Sequence, residues 1–586
     1  MNFIKRYVPL VGALENYNAG LFKNDLAAGL TVGVMLIPQG MAYAMLAGLP
    51  PIYGLYASTI PLILYALFGT SRQLAVGPVA MVALLIATGV SQLAAYQSEN
   101  YIALAILLAL MVGVMQFSLG LFRLGFLVNF LSHPVISGFT SAAALIIGLS
   151  QLKHLLGIDI PRSNFIHEIL INAGTHLGDV HIATFVLGAT AIALILTIKK
   201  LKWPVPGPLV VVVLSILVVY FFGLDKGGMK IVKEVPEGLP PFHFPGFDSG
   251  DLKALLPIAL TIALVGFMES IAVAKAIQAK HKNYQVDSNQ ELIALGVANI
   301  GGAFFSSFPT TGGFSRTAVN DQAGAKTGLA SIISAVLILL TLIFLTPLFY
   351  YLPKAVLASV IMVAVFGLID IKEAKHLWKS DKRDFAMLAV TFIATLTMGI
   401  EQGIIIGVAL SLVMVVYRAA YPHMAQLGRL PGTNYYRNVK RFPDADQRED
   451  MLIARFDAQL FFANIGYLRD KLQKMELEKG DKLKVVVLNA AAINGIDSSA
   501  LHQLHDVVVD YHNRGIEFYV AGVKGPVRDK MMQDGLVDLI GKSNFFMHVA
   551  DAVAHYEKNN EEKIRNEENV DMSTQSNRLT TQESKS

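Results

Sequence analysis

Two stretches of this 586-residue sequence set helix-breaking and polar residues inside apolar surroundings. One is Ala75-Val76-Gly77-Pro78-Val79-Ala80, and the other is Phe308-Pro309-Thr310-Thr311-Gly312-Gly313-Phe314-Ser315-Arg316-Thr317. In a membrane, irregular backbone is tolerated only where it is buried in protein or lines a cavity. Both stretches therefore read as places where a helix starts at membrane depth. The first N–H groups of such a half-helix lack intrahelical partners and carry about +0.5 charge per helix end. Two ends facing one another would bind an anion. Thr311, Ser315 and Thr317 would add hydroxyl donors and Arg316 a full positive charge, costly in lipid unless it meets a cavity or a partner. The alternative is that Gly and Pro only kink ordinary spans and Arg316 snorkels to the interface.

A carboxylate also lies inside an apolar run, Glu269 in Ala263-Leu264-Val265-Gly266-Phe267-Met268-Glu269-Ser270. It costs several kcal/mol there unless protonated, paired or hydrated, so it is a candidate for taking up and releasing a proton. A fixed structural pair with Arg316 or Lys275 is the competing reading. Gln39 and Tyr43, in Ile37-Pro38-Gln39-Gly40-Met41-Ala42-Tyr43, are four apart and share a helix face. An amide and a phenol could both point into a cavity, or pack between helices.

The elements that must hold these groups follow from composition. The chain is 54% hydrophobic and 16% charged, against about 25% charged in an average soluble domain. Half of its 92 Asp, Glu, Lys and Arg residues lie in the first 420 positions and half in the last 166, so two physical environments share it. A net charge of +4 is too weak and scattered for nucleic-acid binding. With no cysteine there are no disulfides, thiolate metal sites or thiol catalysis, and neither a metal nor a cofactor is called for. Fourteen membrane elements are expected, at about 25–48, 51–70, 77–94, 101–121, 127–150, 181–199, 205–223, 252–274, 286–305, 312–325, 327–350, 355–372, 384–400 and 402–420. The two interrupted elements are the third and the tenth, each third in a set of seven, which fits an inverted repeat of seven plus seven.

Lys and Arg are about twice as frequent in the even-numbered links, which include Arg72, Arg123, Lys199, Lys200, Lys326 and the run from Lys372 to Arg383. Both termini then face the cytoplasm. Met1–Leu10 lacks the apolar core and cleavage site of a signal peptide.

The stretch Pro51-Ile52-Tyr53-Gly54-Leu55-Tyr56-Ala57-Ser58, with Tyr65 and Gly69-Thr70-Ser71-Arg72, resembles the signature of the SulP family of sulfate permeases, relatives of pendrin- and prestin-type anion exchangers. The resemblance continues through Asp25, Ala28-Gly29, Ile37–Gly40, Gly77-Pro78 and Ser315-Arg316-Thr317. It implies the seven-plus-seven fold, a homodimer, an anion held between elements three and ten, and an elevator-like movement of a substrate-carrying core against a gate. By position it makes Gln39 and Tyr43, Val79 with Ala80 beside it, Ser315 and Arg316 substrate-site residues. Glu269 falls at the acidic position associated with proton coupling in bacterial and plant members.

From about Met451 short β-rich runs, Leu452–Phe456, Leu483–Leu488 and Ile516–Ala521, alternate with amphipathic helical stretches. This α/β region resembles a STAS domain. Its Asp497-Ser498-Ser499 turn occupies the position phosphorylated in soluble anti-sigma-factor antagonists. Ser498 and Ser499 are thus candidate phosphorylation positions and the domain a candidate target of a cytoplasmic regulator, while the plainer reading is that Asp497 and Ser498 cap a helix. The resulting division is a cytoplasmic N-terminal segment (1–24), a transmembrane domain (25–420), a linker (421–450), a STAS domain (451–557) and a disordered polar tail (558–586).

The expectation is a secondary active anion transporter in the inner membrane of a bacterium, with proton-coupled sulfate uptake favoured. Bicarbonate or dicarboxylate uptake, Na⁺-coupled or not, a passive anion channel and a membrane-tethered regulator are the alternatives. No Walker A run, HExxH or Ser-His-Asp arrangement suggests an enzyme.

Overall fold

The computed structural model describes residues 8–15, 17–126, 132–160, 165–201, 203, 206–246, 248–281 and 284–562. It forms two compact units that part between Leu412 and Val413. The first is helical. Its elements are α1 (Ala19–Leu46), α2 (Ile52–Phe68, interrupted after Tyr56), α3 (Ala80–Val90), α4 (Glu99–Leu121), α5 (His133–Ser150), α6 (Ile182–Leu201) and α7 (Gly207–Phe222). There follow α8 (Ser249–His281), α9 (Ser288–Ala303), α10 (Phe314–Gln322), α11 (Leu329–Phe344), α12 (Lys354–Phe366), α13 (Lys382–Met398) and α14 (Ile400–Ala420). Among the described residues, seven helices are long and apolar enough to cross a membrane. Helix α1 starts six residues before the expected boundary, where the Asn18 side chain caps Leu21 N at 3.0 Å.

Helices of the two halves interleave through small residues. A Cβ on Gly113 of α4 would lie 2.6 Å from Ile300 N of α9, and one on Gly29 of α1 would lie 2.6 Å from Ala330 O of α11. Side chains larger than glycine would push these backbones apart. Ser334 Oγ of α11 donates to Gly29 O at 2.7 Å in the second contact.

Hydrogen bonds between helices form two sets. Within α1–α4 and α8–α11, Gln116 donates to Ala263 O (3.1 Å) and Asn299 to Gln116 Oε1 (3.0 Å). Within α5–α7 and α12–α14, Ser359 donates to Gly188 O (2.9 Å), and Ser132 N to Ser411 Oγ (3.1 Å).

Two fully buried carboxylates hold the first set together. Asp25 accepts from Tyr17 OH, the N–H groups of Lys326 and Thr327, and Thr327 Oγ1 at 2.6–3.1 Å. Glu291 accepts from Tyr65 OH (2.6 Å), Thr70 N (2.7 Å), Thr70 Oγ1 (2.6 Å) and Ser71 N (3.0 Å). A buried charge is tolerated when hydrogen bonds replace the water it has lost.

The second unit carries a six-stranded sheet in the order β4-β3-β5-β6-β7-β8. Its strands are β3 (Met424–Arg429), β4 (Tyr436–Asn438), β5 (Met451–Phe456), β6 (Val485–Asn489), β7 (Glu517–Ala521) and β8 (Phe545–Phe546). Strands β5 to β8 pair in parallel, while β3 runs antiparallel to both neighbours. Alternation sorts the side chains: Leu452, Ala454 and Phe456 pack under α15 (Ile465–Leu477) and α16 (Ser498–Asn513), and Met451 and Ile453 pack on the other face with Val549 and Val553. Residues 421–450, read above as a linker, thus supply two strands of this sheet. Residues 558–562 of the expected tail continue a helix that runs from 549, and 563–586 lie outside the described residues.

Replacing Glu291 by Ala leaves four donors around a buried site without their acceptor. Loss of one partner from a buried charged cluster costs about 3–5 kcal/mol. The expected result is a clearly lower unfolding midpoint in detergent, and an unchanged midpoint would remove the structural role given to this carboxylate.

Candidate anion-binding site

The two sequence breaks meet. Val76–Gly77 (β1) pairs antiparallel with Thr311–Gly312 (β2), Val76 opposite Gly312 and Gly77 opposite Thr311. Gly313 N donates to Ala75 O at 3.0 Å, Ala75 N to Thr317 Oγ1 at 3.1 Å and Gly312 N to Ser270 Oγ at 2.7 Å. These bonds satisfy backbone groups of the crossing from within the protein. Helix α3, 11 residues, then leaves from Val79, and α10, nine residues, from Gly313. At 1.5 Å per residue they rise about 16 and 14 Å, roughly half of a hydrocarbon core. Neither first turn has a side-chain cap, so both helix ends keep backbone N–H groups for something else.

Arg316 lies in the first turn of α10 and is 1% exposed. Its Nη1 donates to Pro78 O at the start of α3, which ties the guanidinium to both half-helices. Its Nε and Nη2 are buried without a hydrogen-bond partner, as are Glu269 Oε2 on α8 and Gln39 Oε1 on α1. Tyr43 and Glu269 line the same cavity as Arg316, yet no ion pair joins Glu269 to Arg316 or Lys275 among the described residues. One cavity of about 360 Å³ is lined by Gln39, Tyr43, Val79, Ala80, Glu269, Ser315 and Arg316. Its remaining wall is largely apolar, with Ile195 of α6, Pro208 of α7 and Val360, Val363 and Ala364 of α12. Uncapped helix ends, an incompletely bonded guanidinium and donor side chains in one cavity suit a small anion.

Residues 22–391 match the sulfate permease family, and residues 442–552 match the STAS domain. The chain belongs to the sulfate permease family. Relatives within it include sulfate transporter 4.1, chloroplastic, of Arabidopsis thaliana, 44% identical over 91% of this chain and 80% of the relative. High affinity sulfate transporter 2 of Stylosanthes hamata is 36% identical over 94% and 86% of the two chains. The solved structure of the murine solute carrier 26 family member A9 anion transporter, in its inward-facing state, superposes with a TM-score of 0.88 at 26% identity, covering 95% of each chain. This sulfate permease family member is therefore a multi-pass membrane protein with a STAS domain, in a family of transporters rather than enzymes.

Thr311 and Thr317, two residues expected at the anion, are not among the residues lining this cavity and hydrogen-bond within the scaffold of the permease. Thr311 Oγ1 is fully buried between Gly266 O and Ser270 Oγ, and Thr317 Oγ1 accepts from Ala75 N. A hydroxyl beside broken backbone meets unpaired N–H and C=O groups before it meets a ligand. Sequence reading passed over Asn299, which accepts from Thr310 N at 2.7 Å and donates to Thr310 O at 3.0 Å, and Gln116 behind it. A lone amide in an apolar span was the available signal. It also placed Lys199 in a link, whereas Lys199 lines the cavity from the end of α6. In the STAS domain, Asp497 caps α16 through Ala500 N at 2.8 Å and also accepts from Phe462 N, while Ser498 and Ser499 are exposed.

A Cβ on Gly313 would lie 2.7 Å from Arg316 Cζ and Nη2. Because the obstacle is the end of a flexible side chain, Gly313→Ala should move the guanidinium rather than unfold the permease. The expected outcome is sulfate binding weakened about tenfold or more, the value of one charge-assisted contact, with unchanged elution on size exclusion. Wild-type affinity in a folded Gly313→Ala protein would count against this placement of the guanidinium.

Proposed function

We propose that this protein takes up sulfate together with protons across the inner membrane of a bacterium, binding the anion between the starts of α3 and α10. The observation that carries the reading is the pairing of an incompletely bonded Arg316 with an incompletely bonded Glu269 in one cavity. Arg316 and the two helix ends supply positive potential, and Ser315, Gln39 and Tyr43 supply polar contacts. Glu269, unlike Asp25 and Glu291, has an oxygen that no donor satisfies, so a proton is a natural partner for it. A neutral acid beside the site tolerates a divalent anion better than a carboxylate does. Proton and sulfate binding then assist each other by the same factor, whichever binds first. The names of the plant relatives favour sulfate over other small anions.

An elevator-like movement is supported by the two hydrogen-bonded sets of helices. Apart from Lys199 at the end of α6, the polar side chains of the cavity belong to the set holding α1, α3, α8 and α10, and the facing wall from α6, α7 and α12 is mostly apolar. Such a wall can be slid past without breaking directional bonds. Homodimerisation, cytoplasmic termini and a regulator acting at Ser498 or Ser499 belong to the same reading. The termini rest on the distribution of Lys and Arg, and the serines on their exposure at the first turn of α16.

Arg316→Ala should lower sulfate affinity ten- to a hundredfold while the protein stays inserted, since a charge-assisted contact contributes about 1.5–3 kcal/mol. Ser315→Ala, losing one neutral donor, should cost only about 0.5–1.5 kcal/mol. Equilibrium binding of radiolabelled sulfate to the purified protein checks both, and unchanged affinity in folded Arg316→Ala sinks the anion site.

Glu269→Gln mimics the protonated acid. It should bind and exchange sulfate with a flatter pH dependence, yet lose accumulation driven by an acidic exterior. Proteoliposome uptake with and without the pH gradient decides the matter. A mutant that still concentrates sulfate in response to the gradient would move the coupling proton elsewhere.

A further inference from the structure

The second unit holds a basic cleft that the transport reading does not use. His423, Arg437, Asn438, Arg441, Phe442, Arg455 and Asp457 surround a cavity of about 330 Å³ at one end of the sheet. The lone carboxylate there is already engaged. Asp457 accepts from Arg455 at 2.6 and 2.9 Å and from His423 Nδ1 at 2.7 Å. Arg437 and Arg441 have neither an ion pair nor a hydrogen-bonded side-chain partner among the described residues, and Arg437 only faces the Tyr435 ring at 6.0 Å.

The backbone is arranged to present them. Arg437 lies opposite Gly428 in the β3–β4 pair. Asn438 then folds the following turn, its Oδ1 accepting from Lys440 N (2.9 Å) and its carbonyl from Arg441 N (2.9 Å) and Phe442 N (3.0 Å). The turn thus aims Arg441 back at the cleft and leaves Phe442 44% exposed at its rim. Three guanidiniums against one satisfied carboxylate make a site for an oxyanion with several acceptors.

The position of the cleft in the chain indicates where that oxyanion comes from. His423 follows the last residue of α14, Ala420, by three positions, so it stands within about 10 Å of the end of a membrane helix. Exposed Tyr435, against Arg437, and exposed Phe442, next to Lys440 and Arg441 in the chain, are the combination of aromatic and basic side chains that settles at a lipid headgroup layer.

We propose that this cleft binds a phosphate group, that of an anionic phospholipid headgroup at the cytoplasmic face of the membrane. The ligand chemistry, a phosphate mono- or diester, is shared with soluble phosphates, and the test separates the two.

Full-length protein in detergent is titrated with phosphatidylglycerol, with phosphatidylcholine as the zwitterionic control, and separately with inorganic pyrophosphate, and bound ligand is counted by native mass spectrometry. The comparison is with the double substitution Arg437→Gln/Arg441→Gln, which leaves the Arg455–Asp457 pair and the cavity between α3 and α10 intact. The expected result is a phosphatidylglycerol site, absent for phosphatidylcholine, whose affinity falls on the order of tenfold or more in the variant and which weakens with added salt. A variant-sensitive pyrophosphate site without a variant-sensitive lipid site upholds the phosphate chemistry and assigns it to a soluble ligand. Equal binding of both probes by wild type and variant overturns the proposal. Sulfate binding at the transport cavity, measured in the same preparations, should not change, so failure of one assignment leaves the other readable.

Discussion

The antiparallel pairing of Val76–Gly77 with Thr311–Gly312 allows two helices to begin inside a membrane unit. A helix start leaves N–H groups that lipid cannot satisfy, and so does every irregular residue leading up to it. Each broken segment here supplies partners for the other, and Ser270, Thr311 and Thr317 close the remaining gaps. The first turns of α3 and α10 have no side-chain cap, so their N–H groups stand where a ligand can be useful. The packing of α8 against β2, the network through Asn299 and Gln116, and the glycine contacts between the halves all serve to keep that crossing in place.

Asp25, Glu291 and Glu269, three of the carboxylates on α1–α4 and α8–α11, meet the same desolvation problem with different solutions. Asp25 and Glu291 are each surrounded by four donors, including backbone N–H groups that cannot move away. Their hydrogen bonds join one half of the repeat to the other. Glu269 lines the same cavity as Arg316 but has an oxygen without a donor. A group left half-satisfied costs free energy that a purely structural residue would have been selected to avoid, and such groups gather at functional sites. The contrast within one molecule is stronger support for Glu269 than its burial would be by itself.

What could be read in the sequence was whatever the membrane forces into local pattern. Apolar runs near twenty residues, the Gly-Pro and Pro-Thr-Thr-Gly-Gly breaks, and a charge inside a span are each conspicuous because lipid penalises exceptions. Arg316, Ser315, Val79, Ala80, Gln39, Tyr43 and Glu269 accordingly meet in one cavity. Thr311 and Thr317 lie outside the lining of that cavity, because a hydroxyl can serve backbone as well as ligand and the register of β1 against β2 turns both toward backbone and Ser270. Gln116 and Asn299 were missed for the reverse reason, since one amide per span has no spacing to read and its partner is 183 residues away. The strands at 424–438 read as a linker because the edge strand β4 is only three residues long and β3, though it pairs on both sides, is short and carries Gln426, Gly428 and Arg429 among its six residues.

The choice of arginine at position 316 follows from the same geometry. One of its donors is committed to Pro78 O, which fixes the plane of the guanidinium relative to α3. A planar fork with five N–H groups can make that commitment and still hold donors toward an oxyanion in a defined direction. A lysine ammonium bound to the same carbonyl would keep its charge but lose the second, preset direction. Because Arg316 is carried by α10 and anchored on α3, an anion it holds is referred to both half-helices at once. Any movement that separated them would have to break the Pro78 contact and the β1–β2 pairing together. The guanidinium contact and the strand pairing thus tie α3 and α10 to each other on the side of the cavity facing α6, α7 and α12.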